Sequence, residues 1–238
     1  GLVLTIGLAR FAYTPLLPSL QLQTGLTDAG AGALAAVNYA GYMTGALAAA
    51  WMDDVRWRHR FYSMGLWMAL LTTAAMALSA WMPGWMVLRY IGGLCGATGM
   101  LLGSGLVLGW LMRHGHRPEL GLHFIGIGLG IVVSAMGAWG LSQVWGDWAS
   151  QWLAMAVVGV VFFIPAWWWR PPVPPPVNAQ QTSDADNSVS KRWLFTMIGS
   201  YFAAGWGFVI SATFTVAIVE REPGLAGQGA WAWALVGL

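Results

Sequence analysis

Apolar stretches long enough to cross a bilayer follow one another from Gly1 to Trp169, and the short polar hinges between them alternate in basic content. Arg56, Arg58 and Arg60 crowd the hinge after the second stretch, and Arg113 and Arg117 follow the fourth. Arg170, Lys191 and Arg192 flank the gap after the sixth, whereas the hinges at 21–28, 81–84 and 143–151 hold no basic residue. Loops retained in the cytoplasm during insertion keep their Lys and Arg, so this rhythm implies a polytopic chain and orients it. Helices are the fitting element because each closes its own backbone hydrogen bonds in lipid. A barrel would need apolar residues at every second position, and these runs are continuously apolar.

With about 20 apolar residues per crossing, spans fall near 1–20, 30–52, 61–82, 85–112, 120–143, 151–169 and 193–219, with another opening near 229. The expected class is an all-α polytopic membrane protein. Most Trp residues, Trp51, Trp81 and Trp145 among them, fall near span ends, where an amphipathic ring suits the headgroup layer. Residues 170–192 break the pattern with Pro171, Pro172 and Pro174 to Pro176, then Gln180, Gln181, Asp184 and Asp186. Such a segment buries too little apolar surface to fold and reads as a cytoplasmic linker. It separates a six-helix block (1–169) from the start of a second block (193–238). The chain opens without Met inside one apolar stretch and stops inside another, so it reads as a fragment.

Charged residues make up only 8% of the chain, against roughly 25% in an average soluble domain. Eight of the eleven Lys and Arg residues sit in the basic hinges, Arg221 lies at the other side, and Arg10 and Arg89 lie inside apolar stretches. No contiguous basic face remains for nucleic acid. Cys95 is the single cysteine and no His or acid cluster has ligand spacing, so neither a metal nor a cofactor is expected. Small residues four apart, as at Gly41 and Gly45, Gly92 and Gly96, Gly99 and Gly103, Gly105 and Gly109, and Gly126, Gly130 and Ser134, suit close helix crossings.

Arg10 carries the most specific chemistry. It lies about ten residues from the outer end of its span, roughly 15 Å deep at 1.5 Å per residue. A lipid-facing Arg there costs on the order of 2.5–3.5 kcal/mol, so it is expected to face the bundle interior or a wet cavity. Helical spacing puts Tyr13 and Thr14 on its face, and Pro15 and Pro18 deprive the carbonyls of Phe11 and Thr14 of their helical donors. None of the nine acids lies mid-membrane: Asp28, Asp147, Glu220 and Glu222 fall on one side, and Asp53, Asp54, Glu119, Asp184 and Asp186 on the other. A guanidinium without a carboxylate attracts an anion, so the expected cargo is a small organic anion. Arg89, one turn from the outer end of span four, can snorkel easily, and structural and coupling roles are equally open to it. Asn38 and Tyr42 suit helix contacts or a cavity wall. An intramembrane serine protease would want Gly-x-Ser-Gly around Ser104, but position 102 is Leu, and His123 has no evident place opposite Ser104.

Several motifs carry a family resemblance. The hinge Asp53-Asp54-Val55-Arg56-Trp57-Arg58-His59-Arg60 keeps the acid-then-basic order of the loop between spans two and three in the major facilitator superfamily, but lacks its two glycines. Arg89 and Gly93 match the Arg and Gly of its span four. The run Gly7-Leu8-Ala9-Arg10-Phe11-Ala12-Tyr13-Thr14-Pro15-Leu16-Leu17-Pro18, with Asn38-Tyr39-Ala40-Gly41-Tyr42 and Gly205-Trp206-Gly207-Phe208, resembles the bacterial YbfB/YjiJ-type branch. The resemblance implies the superfamily fold, alternating-access transport of a small solute across the bacterial inner membrane, and a monomer. It puts spans one, four and seven around the cavity, where Arg10, Tyr13, Thr14, Asn38, Tyr42 and Trp206 are the candidates for the solute site. Asp53, Asp54, Arg58 and Arg89 become coupling or gating residues, the loop acid facing a helix N-terminus of the second block.

Overall fold

The computed structural model describes residues 1–144, 146–173 and 190–238. Trp145 and most of the expected linker, 174–189, lie outside the described residues. All regular structure in the described residues is helical.

Span one is broken. A π-helical segment covers Val3–Leu8, residues 9–12 form a turn, and α1 follows over Tyr13–Thr24. The wide ladder shows in Ala9 N–H donating to the Leu4 carbonyl at 2.9 Å and Phe11 N–H to that of Ile6 at 3.1 Å. Pro15 explains the local rearrangement. It has no N–H for the Phe11 carbonyl, so Thr14 N–H swings to Phe11 at 3.2 Å and leaves the Arg10 carbonyl outside the ladder. The acceptor left open is therefore one residue earlier than the proline rule predicts.

The remaining helices are α2 (Asp28–Ala50), α3 (Val55–Ala75), α4 (Met82–Ala97), α5 (Ser104–Arg113), α6 (Gly121–Val144), α7 (Trp148–Trp168), α8 (Lys191–Arg221) and α9 (Gly229–Val236). A second π segment, Thr98–Gly103, joins α4 to α5, so span four also departs from a uniform helix. Caps set the starts: Thr27 Oγ1 accepts from Gly30 N–H at 3.1 Å, and Asp147 from Ser150 N–H at 2.8 Å. Span three differs most from expectation. Its helix starts inside the basic hinge, where Asp54 caps it, and ends at Ala75, where Met76 gives its carbonyl to the Trp85 indole at 3.0 Å. Trp85 and Trp152 are accordingly buried, unlike the exposed border residues Trp51, Trp81 and Trp169.

Among the described residues, five helices are long and apolar enough to cross a membrane: Val3–Thr24, Met82–Arg113, Gly121–Val144, Trp148–Trp168 and Lys191–Arg221. α2 and α3 have comparable length but less apolar sequences, α2 through Asn38, Tyr39, Tyr42 and Thr44, and α3 through its basic first turns.

Glycines set the closest crossings. α2 lies tight on α4, with Gly41 against the Tyr90 carbonyl and Gly93 against that of Asn38. Gly7 of the first π segment lies backbone to backbone against Gly130 of α6, while nothing approaches Gly105 within 4 Å. Gly41→Ala pushes a methyl into an immovable carbonyl, an overpacking of about 1–3 kcal/mol. Thermal unfolding of the intact protein should show that loss, while Gly105→Ala should be neutral or slightly stabilising.

α8 decides the shape of the cavity. Beyond its middle it packs on α1, where Thr14 Oγ1 donates to the Ala212 carbonyl at 2.6 Å. At its end Arg221 pairs with Asp28 at 2.6 Å. Toward Lys191, which lies at the end that gathers the basic hinges, residues 190–208 are exposed and the helix stands away from α2. The bundle is closed at the Asp28 end and parted at the basic end.

Candidate functional site

The Arg10 side chain leaves the turn in span one and lies among three aromatic rings. Its guanidinium carbon is 4.6 Å from the ring centre of Tyr39, 4.9 Å from Tyr42 and 5.2 Å from Phe11. Arg10 is half-buried, and among the described residues no acceptor hydrogen-bonds to its guanidinium; Nε is buried without a partner. Cation–π contact holds the faces of the group and leaves its N–H donors without acceptors among the described residues.

Tyr39 and Tyr42 are also one wall of a cavity of about 860 Å³ between α2 and the basic half of α8. Trp206 and Phe202, whose rings lie 5.9 Å apart, stand on the opposite wall. That volume is in the range of small-molecule sites. Tyr42 and Trp206 thus line one space, and Arg10, outside that lining, lies against its Tyr39 and Tyr42 wall.

Tyr13, Thr14 and Asn38 do not. Tyr13 is buried, its hydroxyl donating to the Ala31 carbonyl at 3.0 Å, and Thr14 is turned to Ala212 of α8. Asn38 Nδ2 donates to the Arg89 carbonyl at 2.7 Å, binding α2 to α4. The expected Arg10–Tyr13–Thr14 stripe dissolves because the turn at 9–12 rotates Arg10 away from the face that α1 presents.

Arg89 does not snorkel. It is buried, and its guanidinium reaches the break in span one. Nη1 donates to the Ala9 carbonyl at 3.2 Å, and both Nη1 and Nη2 approach the Arg10 carbonyl at 3.4 Å. The Tyr13 ring centre lies 4.4 Å away. The carbonyls that the irregular helix leaves open are what hold this cation. Span four therefore supports span one from behind, and of the expected spans one, four and seven only seven lines this cavity, with α2 opposite it.

The loop acids serve their own helix. Asp54 accepts from Arg56 N–H at 2.8 Å at the start of α3, and Arg58 Nε donates to the Met52 carbonyl at 2.6 Å. Asp53 is exposed. The residue at the N-terminus of α8 is Ser190, not a partner of this loop.

Two features escaped the sequence reading. Tyr39, with Ala36 and Met43 on the same face of α2, borders the cavity, a spacing visible at i, i+3 and i+7. His123 does stand opposite Ser104, with Nε2 3.1 Å from Oγ. Among the described residues no acid orients the ring, and three or more His, Cys, Asp or Glu residues nowhere gather as a metal site.

At the closed end, hydrogen bonds from Arg221 and then Gln21 hold the Asp28 carboxyl down at about 2. A carboxylate with a depressed value stabilises the fold above its ordinary pH range and loses that contribution as pH falls toward 2. The pair is exposed, so its effect is small. Asp28→Asn should lower the melting temperature of the intact protein slightly at pH 6, and the difference should vanish near pH 2.

A helical bundle joined at one end and parted at the other, around a cavity of small-molecule size, is the form of a membrane transporter with the major facilitator fold. The model of the family described as uncharacterised MFS-type transporter YbfB matches residues 2–238, and the chain belongs to that family. Among curated proteins, none matches the chain.

Proposed function

We propose that this chain belongs to a secondary-active transporter that carries a small organic anion across the bacterial inner membrane by alternating access. Arg10 carries the reading: a guanidinium deep in a membrane span, with no carboxylate beside it among the described residues, sits against the walls of an open cavity. The basic hinges assign the parted end to the cytoplasm. Closure around Thr14–Ala212 and Asp28–Arg221 at the other end then corresponds to an inward-open state. Arg10, Tyr42 and Trp206 face the solute. Tyr13, Thr14 and Asn38 hold the helices that frame it, and Arg89 positions the Arg10 turn. Asp53, Asp54 and Arg58 form the inner gate, Asp54 exchanging its own helix cap for a partner in the second block as that end closes.

The test is uptake by the intact protein in proteoliposomes, across a panel of organic anions, with and without a proton gradient. Concentrative, gradient-dependent accumulation of an anion is the expected result. Anion flux that only equilibrates indicates a channel, and accumulation of cations or neutral solutes alone overturns the anion assignment.

A further inference from the structure

The cavity beside Arg10 has walls unsuited to a strongly hydrophilic solute. From α8 come Met197, Ile198, Phe202, Trp206 and Val209, and from α2 come Ala36 and Met43. Its polar side-chain groups are the hydroxyls of Tyr39, Tyr42 and Tyr201 and the indole N–H of Trp206, few beside the apolar surface around them. A polyhydroxylated solute entering this space exchanges water for apolar walls at most of its hydroxyls, a transfer that opposes binding.

The number of available cations sets the valence. Arg89 lies near, but its Nη groups are engaged by the Ala9 and Arg10 carbonyls, and the residue is buried behind the wall. Arg10 is the remaining guanidinium, lying against the Tyr39 and Tyr42 wall with its Nη groups unbonded among the described residues, so a carboxylate that reaches past those rings meets a two-point donor. A second carboxylate on the same solute would enter an apolar space with no counter-charge.

We infer that this cavity takes a monovalent anion on an aromatic or similarly apolar body, its carboxylate on Arg10 and its body between Tyr39, Tyr42, Phe202 and Trp206. The inference rests on the assignment of Arg10 to anion binding and narrows it to a solute class. Aromatic rings favour an aromatic body through offset and edge contacts at about 4.5–7 Å, the range in which Phe202 and Trp206 lie from each other at 5.9 Å.

The experiment compares four probes on the intact protein in nanodiscs by isothermal titration: phenylacetate, its neutral isostere phenylacetamide, the dianion phthalate and the hydrophilic monoanion gluconate. Phenylacetate should bind saturably, at least about tenfold more tightly than each of the others. Arg10→Gln should abolish its advantage over phenylacetamide, and Arg10→Lys should keep part of it. Trp206→Ala, at an exposed position where folding is not at stake, should weaken phenylacetate about tenfold. Gluconate or phthalate binding as tightly as phenylacetate, and depending on Arg10, overturns the solute class while leaving an anion site. Phenylacetamide binding equal to phenylacetate and unmoved by Arg10→Gln overturns both. No saturable phenylacetate binding overturns the inference.

Discussion

Arg89→Met should destabilise the intact protein by about 2–4 kcal/mol, making it the most damaging single replacement of a polar side chain in the bundle. Two terms oppose each other. Removing the guanidinium relieves a buried charge, and replacing buried ionic groups by apolar residues can be neutral or stabilising when every partner is replaced too. Here the partners are backbone carbonyls and cannot be replaced. The Arg10 carbonyl has lost its helical donor to the Thr14–Phe11 rearrangement, and that of Ala9 also receives Arg89. Stranding each costs about 1–3 kcal/mol, which outweighs the relief. Arg89→Lys offers a single ammonium where a planar fork bridged two acceptors, so it should recover part of the loss. Thermal unfolding of the three proteins in detergent measures this. If the Met variant unfolds at the wild-type temperature, Arg89 is not what holds the break.

The contrast between span four and span one explains what a reader of the sequence could see. Apolar length and the alternating Arg hinges were enough for an all-α membrane fold, because lipid leaves the backbone few other choices. The glycine spacing at Gly41 and Gly126–Gly130 likewise pointed to tight crossings. The breaks at Val3–Leu8 and Thr98–Gly103 were not legible, since a π turn differs from an α turn by a hydrogen-bond register that many sequences accommodate. Pro15 was the available signal, but it marks the Phe11 carbonyl, and the acceptor that matters is one residue earlier, at Arg10. The structural role open to Arg89 had no visible partner for that reason: its partners are backbone atoms, which no side-chain pattern advertises. On α8, the stripe Met197, Ile198, Tyr201, Phe202, Gly205, Trp206 and Val209 repeats with helical spacing and was there to be found. Only Trp206 stood out, because sequence alone does not tell which apolar stripe meets lipid and which meets a cavity.

Arg10→Ala should abolish measurable transport while leaving the fold intact, the largest functional effect expected of any residue here. Its guanidinium makes no hydrogen bond to the described residues, so the bundle loses mainly cation–π contacts, about 0.5–2 kcal/mol in all. A bound anion loses much more. A charge-assisted hydrogen bond contributes about 1.5–3 kcal/mol, and losing a two-point contact therefore weakens solute recognition by at least about 100-fold. Arg10→Lys retains the charge without the fork and should transport at an intermediate level, mainly through a raised KM. The two Arg residues are thereby separable. Arg89→Met should lower stability with transport falling in step, whereas Arg10→Ala should lower transport far more than its smaller loss of stability accounts for. Uptake measured beside unfolding on the same preparations decides between them. Wild-type uptake by Arg10→Ala would mean that the N–H donors of its guanidinium face no solute, and that the cavity between α2 and α8 recognises its cargo by its apolar walls alone.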